Sequence, residues 1–145
     1  MEANNATYDL PPDVEIKWES ALNEMDRMRN EGDYVNALKM SQAAWEFLPE
    51  PKLNCSYAYI TAMPMLKAFI LAKAFDEGIA FSDFLITNTP RRDEVPVFLV
   101  QKGILKYESG DLDGAYLEFK RSWDTAGKFG FCDESDKYLA HLTAK

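Results

Sequence analysis

The sequence contains few residues of the types that most often perform chemistry. Its 145 residues include two cysteines and one histidine, with no CxxC spacing and no Gly-rich phosphate loop. His141 has no cysteine or serine nearby in a recognisable nucleophile setting. We therefore expect no enzymatic activity, no metal, no cofactor and no small-molecule substrate. Cys55 and Cys132 are typical of reduced, structural residues in a cytosolic protein.

Targeting and membrane signals are also absent. The first residues, MEANNATYDLPPD, contain neither a charged n-region nor an apolar h-region, so no secretory signal is predicted. The most apolar stretch, Cys55 to Phe75, is interrupted by Pro64, Lys67 and Lys73, which favours a buried helix over a membrane span. These features predict a cytoplasmic protein that does not contact a membrane.

Positive charge is scarce. The chain has 24 acidic and 16 basic residues, a formal net charge of −8. Because nucleic-acid binding requires clustered Lys and Arg, this balance argues against nucleic acid as a partner. An acidic surface suits solubility and attracts a basic protein.

Alternation with period 2, the signature of a half-buried strand, is missing, whereas apolar residues recur at spacings of three and four. This predicts an all-α fold of about seven helices, with a flexible leader over residues 1–12 and a single domain over residues 13–145. Asp13 is expected to cap the first helix. The third helix is expected over residues 53–76, kinked or starting late at Pro64, and the fourth over residues 80–87.

Two segments repeat one pattern. EGDYVNALKMSQAAW (31–45) and SGDLDGAYLEFKRSW (109–123) both place Gly-Asp before a helix with a small residue, Ala37 or Ala115, on its inner face. Such a short turn forces neighbouring helices to lie antiparallel, and the small residue allows them to approach closely. A weaker third copy is expected at Gly78, with Asp83 where the small residue should be.

The spacing resembles tetratricopeptide repeats, helix-turn-helix units of about 34 residues. The first copy and the last copy each match at five positions: Gly32, Tyr34, Ala37, Ala44 and Pro49, and Gly103, Gly110, Leu112, Ala115 and Phe119. The resemblance implies antiparallel helix hairpins stacked as a short tetratricopeptide-like solenoid.

A narrower resemblance rests on AWEFLPEPK (44–52), on VPVFLVQKGILKYESGDLDGAYLEFKRSW (95–123) and on DESDKYLAHL (133–142). Together they resemble a family of small bacterial tetratricopeptide-like proteins that are commonly encoded beside polymorphic toxins as immunity proteins. This implies that the chain binds and neutralises one cognate toxin domain inside the cell, and the acidic charge suits a basic nuclease-type toxin. Two alternatives remain, a small chaperone for secreted proteins and an adaptor that grips a C-terminal peptide carboxylate.

In that fold the first helix of each pair lines a concave surface, so helical spacing predicts which residues contact the partner. The candidates combine apolar anchors with charges that raise the association rate: Asp26, Arg29, Met65, Phe75, Val97, Val100, Ile104, Tyr107, Glu108, Asp111 and Asp113. The alternative is that the apolar members form the core and that the acidic ones cap helices. Trp18, Trp45 and Trp123 are expected in the core.

Overall fold

The computed structural model describes residues 8–132 and 134–144, and this part of the chain is built from helices. Seven α-helices follow one another along the chain: α1 (Pro12–Asn30), α2 (Tyr34–Glu46), α3 (Ala58–Leu71), α4 (Phe75–Asn88), α5 (Val95–Glu108), α6 (Leu112–Ala126) and α7 (Asp136–Thr143). Short 3₁₀ helices lie at Lys52–Asn54, Arg92–Glu94 and Gly127–Phe131. The prediction of an all-α fold of about seven helices is therefore confirmed, and the solenoid arrangement stays a prediction.

The chain divides into two compact units, Met1–Ala72 and Lys73–Lys145. In the first unit, α1 packs on α2 and α2 packs on α3. In the second unit, α5 packs between α4 and α6, and α7 packs on α6. The prediction of one domain over residues 13–145 stays a prediction.

The segment before α1 is held against the first unit. The Tyr8 amide donates to the Asn54 carbonyl at 3.2 Å, and the Ser56 amide donates to the Tyr8 carbonyl at 2.8 Å. Leu10 is buried. The prediction of a flexible leader is therefore wrong for residues 8–12, while residues 1–7 lie outside the described residues. Because α1 already begins at Pro12, Asp13 lies in its first turn and is not its cap.

Both copies of the repeated pattern form the expected turn. Gly32 and Gly110 have positive φ angles of 80° and 98°, which glycine adopts without strain. Asp33 Oδ1 accepts from the Asn36 amide at 3.4 Å, and Asp111 Oδ1 accepts from the Gly114 amide at 2.9 Å. Ala37 and Ala115, four residues after each cap, are buried. The sequence pattern thus correctly predicts the hairpins α1–α2 and α5–α6.

The third copy of the turn lies at Lys73 and not at Gly78. Lys73 has a φ of 59°, and the backbone of Ala74 (φ −90°, ψ 63°) resembles that of the caps Asp33 (−90°, 72°) and Asp111 (−86°, 77°). Gly78 is buried four residues after this cap, in the position of Ala37 and Ala115. The predicted end of the third helix at residue 76 and the predicted start of the fourth at residue 80 are therefore both wrong, since α3 ends at Leu71 and α4 begins at Phe75.

Asp83 and Pro64 also differ from their predicted roles. Asp83 is exposed and pairs with Lys102 at 2.6 Å, so it does not occupy a packing position. Pro64 lies within α3, which begins at Ala58, so the predicted late start at Pro64 is wrong and the predicted kink stays a prediction. Proline has no amide hydrogen, so the carbonyl of Ile60 loses a helical partner. Ile60 is half exposed, and water can therefore reach this carbonyl.

Trp18 joins α1 to α3 in the first unit. It is buried, and its Nε1 donates to Thr61 Oγ1 at 2.9 Å. Its ring centroid lies 4.7 Å from that of Tyr57. Trp45 is buried as well, whereas Trp123 in the second unit is 41% exposed, which contradicts its predicted place in the core.

A buried carboxylate joins the helices of the second unit. The Glu118 side chain on α6 is only 4% exposed, and it lies within ion-pair distance of Lys106 (2.8 Å), Arg121 (3.1 Å) and Lys102 (3.2 Å). Lys102 also pairs with Asp83 of α4. Burial by itself raises the pKa of Glu118, but Lys106 and Lys102 together lower that pKa below its ordinary value. Glu118 is therefore held as a carboxylate between three cations.

Gly103 provides a test of how tightly α5 and α6 pack. A Cβ at this position would lie 2.5 Å from Cε1 of the buried Phe119 ring, closer than any normal contact. We expect Gly103→Ala to destabilise the fold by about 1–2 kcal/mol, because overpacking outweighs the helix propensity that alanine gains. Urea unfolding followed by circular dichroism measures the change.

The control is the same substitution in a Phe119→Leu background, where the ring edge is absent. The cost of Gly103→Ala should shrink there, since the two positions are in contact. An equal cost in both backgrounds, or a stabilising effect in the native background, would contradict close packing at Gly103.

Candidate protein-binding site

Four of the predicted partner contacts are buried. Met65, Val97, Val100 and Ile104 are each at most 3% exposed, so the prediction that they line an open groove is wrong. Val97, Val100 and Ile104 are buried because α5 packs between α4 and α6 and buries nine of its fourteen residues, whereas Met65 lies on the buried side of α3, which packs on α2. For these four residues the alternative interpretation, a place in the core, is the correct one.

Tyr107 and Glu108 hold the C-terminal helix. Tyr138 Oη donates to Glu108 Oε2 at 2.8 Å, and Lys137 Nζ lies 2.8 Å from the same oxygen. The rings of Tyr107 and Tyr138 meet edge to face at 5.3 Å. The Lys137 and Tyr138 hydrogen bonds lower the pKa of Glu108, and burial together with the bond to Glu108 raises the pKa of Tyr138. The Glu108 carboxylate is thus engaged in holding α7.

The remaining predicted residues have different environments. Asp111 is exposed, but its carboxylate caps α6. Asp113 is exposed in the first turn of α6, and Phe75 is the partly buried first residue of α4. A charge change at Glu108 or Asp111 would therefore disturb the fold as well as any partner surface.

Asp26 and Arg29 line an open groove between α1 and α3, which we call the α1–α3 groove. It has a volume of about 330 Å³. Four residues of α1 and three of α3 line it: Leu22, Met25, Asp26, Arg29, Met63, Pro64 and Lys67. Asp26 and Arg29 therefore line one groove, and their predicted contact with a partner stays a prediction.

The α3 side of the groove continues as an apolar stripe. Ile60 and Leu71 are 51% and 39% exposed, and their spacing from Pro64 and Lys67 places all four on one helix face. Met65, the predicted contact residue on α3, lies on the buried side of this helix, and the predicted contacts do not include Met63, Pro64 and Lys67, which line the groove. The series 60, 64, 67 and 71, at steps of three and four, is the signal that identifies the exposed face.

The two ends of the α1–α3 groove carry different charges. At one end Arg29 Nη2 lies 2.9 Å from Asp26 Oδ1, with Lys67 on the opposite wall. Towards the start of α1, Glu15 accepts a hydrogen bond from Tyr57 Oη at 2.6 Å, which raises the pKa of Tyr57 to about 12. Glu19 is exposed between these ends.

Two further hollows lie on other surfaces. One lies between α1 and α2, beside the exposed Ile16, and is lined mainly by apolar side chains. The other lies between α6 and α7, beside Trp123. Only the α1–α3 groove contains predicted contact residues, and we therefore treat it as the candidate site.

Within residues 8–132 and 134–144, no group of three or more His, Cys, Asp or Glu side chains is arranged to hold a metal ion. No helix in this part of the chain has the length and apolarity that crossing a bilayer requires. A comparison of the chain with protein-family models, curated proteins and solved structures finds no match in any of the three.

The contacts of Glu108 predict an acid-sensitive second unit. Since the pKa of Glu108 in the folded state is below its ordinary value of 4.5, the unfolded chain takes up the proton first as the pH falls. The stability contributed by Glu108 is complete above about pH 4.5 and is lost as the pH falls through the lower, folded-state pKa. Glu108→Gln should therefore lower stability at pH 7 and reduce its decrease between pH 5 and pH 3.

Urea unfolding at pH 7, 5 and 3 measures this dependence. Asp136→Asn, which removes an exposed carboxylate from the first turn of α7, is the control. A pH dependence of Glu108→Gln that equals that of the native chain would contradict the assigned role of Glu108.

Proposed function

We propose that this chain is a non-catalytic protein-binding domain that recognises its partner through the α1–α3 groove. The observation that carries the proposal is the groove itself, an open surface in which apolar side chains of two helices lie beside charged ones. Exposed apolar surface of this kind is typical of interaction sites, and the charges fix orientation. A buried hydrogen bond from Trp18 to Thr61 joins the two helices that form the groove.

The partner we propose is a cognate bacterial toxin domain, neutralised in the cytoplasm by stoichiometric binding. Support for this choice comes from the resemblance of segments 44–52, 95–123 and 133–142 to immunity proteins of the tetratricopeptide-like type. The net charge of −8 favours a basic partner such as a nuclease-type toxin. Neutralising a toxin at low copy number requires nanomolar or tighter binding, about −12 kcal/mol.

A chaperone for secreted proteins is the second candidate. Met25 and Met63 both line the groove, and flexible methionine side chains adapt to varied apolar segments. The adaptor hypothesis is weaker, because a clamp for a carboxylate needs available cations and Arg29 already pairs with Asp26. An immunity protein should bind one folded domain tightly, whereas a chaperone should bind unfolded segments with modest affinity.

Co-expression with the toxin domain encoded by a neighbouring gene tests the proposal. We expect the native chain to co-purify with that domain and to restore growth. Ile60→Lys introduces a charge into the apolar stripe of the groove and should weaken binding about tenfold or more. Binding is measured by calorimetry and protection by growth.

Val35→Lys is the matched control, because Val35 is an equally exposed apolar residue on α2 (58%, against 51% for Ile60). It should bind and protect like the native chain. Native-like binding by Ile60→Lys would remove the groove from the proposal. Failure of the native chain to bind or protect would remove the toxin, and capture of unfolded segments instead would favour the chaperone.

A further inference from the structure

We infer that the partner segment held in the α1–α3 groove is basic and amphipathic, with apolar side chains along α3 and a lysine or arginine at Glu19. This inference rests on the proposed function and specifies the chemistry of its partner. Two independent features support it: the groove itself, and beside it two carboxylates on α1 that have no ion-pair partner among the described residues.

The charge lies on α1 next to the groove lining, towards the start of that helix. Glu19 lies one helical turn before Leu22, and Glu15 lies one turn further on the same face. Among the described residues neither carboxylate has an ion-pair partner, and Glu15 bonds only to the Tyr57 hydroxyl. Lys17, the basic residue between them, lies on the other side of α1, where it lines the hollow between α1 and α2.

The opposite end of the groove carries both signs. Asp26 and Arg29 pair there, and Lys67 lies across from them. The groove is therefore acidic towards Glu15 and Glu19 and mixed towards Lys67. A cation of the partner gains at the acidic end, whereas an anion would be repelled there, and this difference fixes the direction in which a segment lies.

The apolar stripe sets the length of the segment. Ile60 and Leu71 are eleven residues apart on α3, a distance of about 16 Å along the helix axis. An apolar face of three helical turns covers this distance, which corresponds to the binding of an amphipathic helix in a groove. Met63 and Pro64 provide apolar surface between the two ends, and Lys67 is the one charged residue of this stripe.

The probes are two synthetic helical peptides of about 18 residues with the same leucine face. One carries lysine on its polar face and the other glutamate. Fluorescence anisotropy at low and moderate salt measures their binding to the full chain. We expect the lysine peptide to bind at least tenfold more tightly than the glutamate peptide, with a difference that decreases as salt increases.

Variants locate the effect. Glu19→Lys should weaken the lysine peptide about five- to tenfold, whereas Ile60→Lys should weaken both peptides. The control is Glu46→Lys, which makes the same charge change at a 75% exposed carboxylate on α2 whose nearest cation, Lys52, is 4.0 Å away. It should change the affinity less than twofold. Circular dichroism confirms that each variant is folded.

Three results would overturn the inference: equal or better binding of the glutamate peptide, no binding of the lysine peptide, or equal effects of Glu19→Lys and Glu46→Lys. The proposed function is tested separately by co-expression. If the chain neutralises the toxin but binds both peptides equally well, only this inference is wrong. If the chain binds the lysine peptide through Glu19 but neither binds the toxin nor protects against it, the toxin is not its partner and the proposed function is wrong.

Discussion

A buried small residue four positions after the caps of α2, α4 and α6 is the constraint on which the fold depends. Ala37, Gly78 and Ala115 occupy this position after caps whose backbone angles nearly coincide. In the hairpins α1–α2 and α5–α6, this residue lets a second helix lie close to the first. A larger side chain at the same position would separate the helices and lose the packing on which their stability depends.

Close packing in the first hairpin also determines where the candidate site lies. Since α2 covers one side of α1, the opposite side of α1 is left to face α3, and the Trp18–Thr61 hydrogen bond joins these two helices. Leu22, Asp26 and Arg29 then face the exposed stripe of α3 across the groove. The side chains that line this groove stand on helices, which hold their geometry better than loops do.

The sequence predicts those turns that depend on the residue types in the turn itself. Gly-Asp identified two turns, because glycine tolerates a positive φ angle and aspartate caps a helix. The third turn could not be found in this way, since Lys73 and Ala74 adopt the same backbone with neither residue type. The exposed face of α3 could not be predicted for a different reason: this helix is apolar on nearly every side, so its sequence offers little contrast between the buried and the exposed face.

Which residues of α5 are buried in the second unit could not be predicted from the sequence pattern. Val97, Val100 and Ile104 form an apolar stripe that fits an open groove and a buried helix equally well. Only the packing of α4 and α6 on both sides of α5 decides between them, and this packing is a tertiary property. Asp26 and Arg29 could be placed on an exposed surface from the sequence, because charged residues in the middle of an amphipathic helix mark its solvent side. Their role in binding a partner stays a prediction.

The ion cluster around Glu118 has a consequence for how the chain can change over evolutionary time. Lys102, Lys106 and Arg121 share this single carboxylate, so its loss would leave three neighbouring like charges without a common counter-ion. A neutral replacement at position 118 becomes tolerable only after some of these cations have been exchanged. In related chains these positions should therefore diverge together, as a group whose members are inherited or replaced jointly.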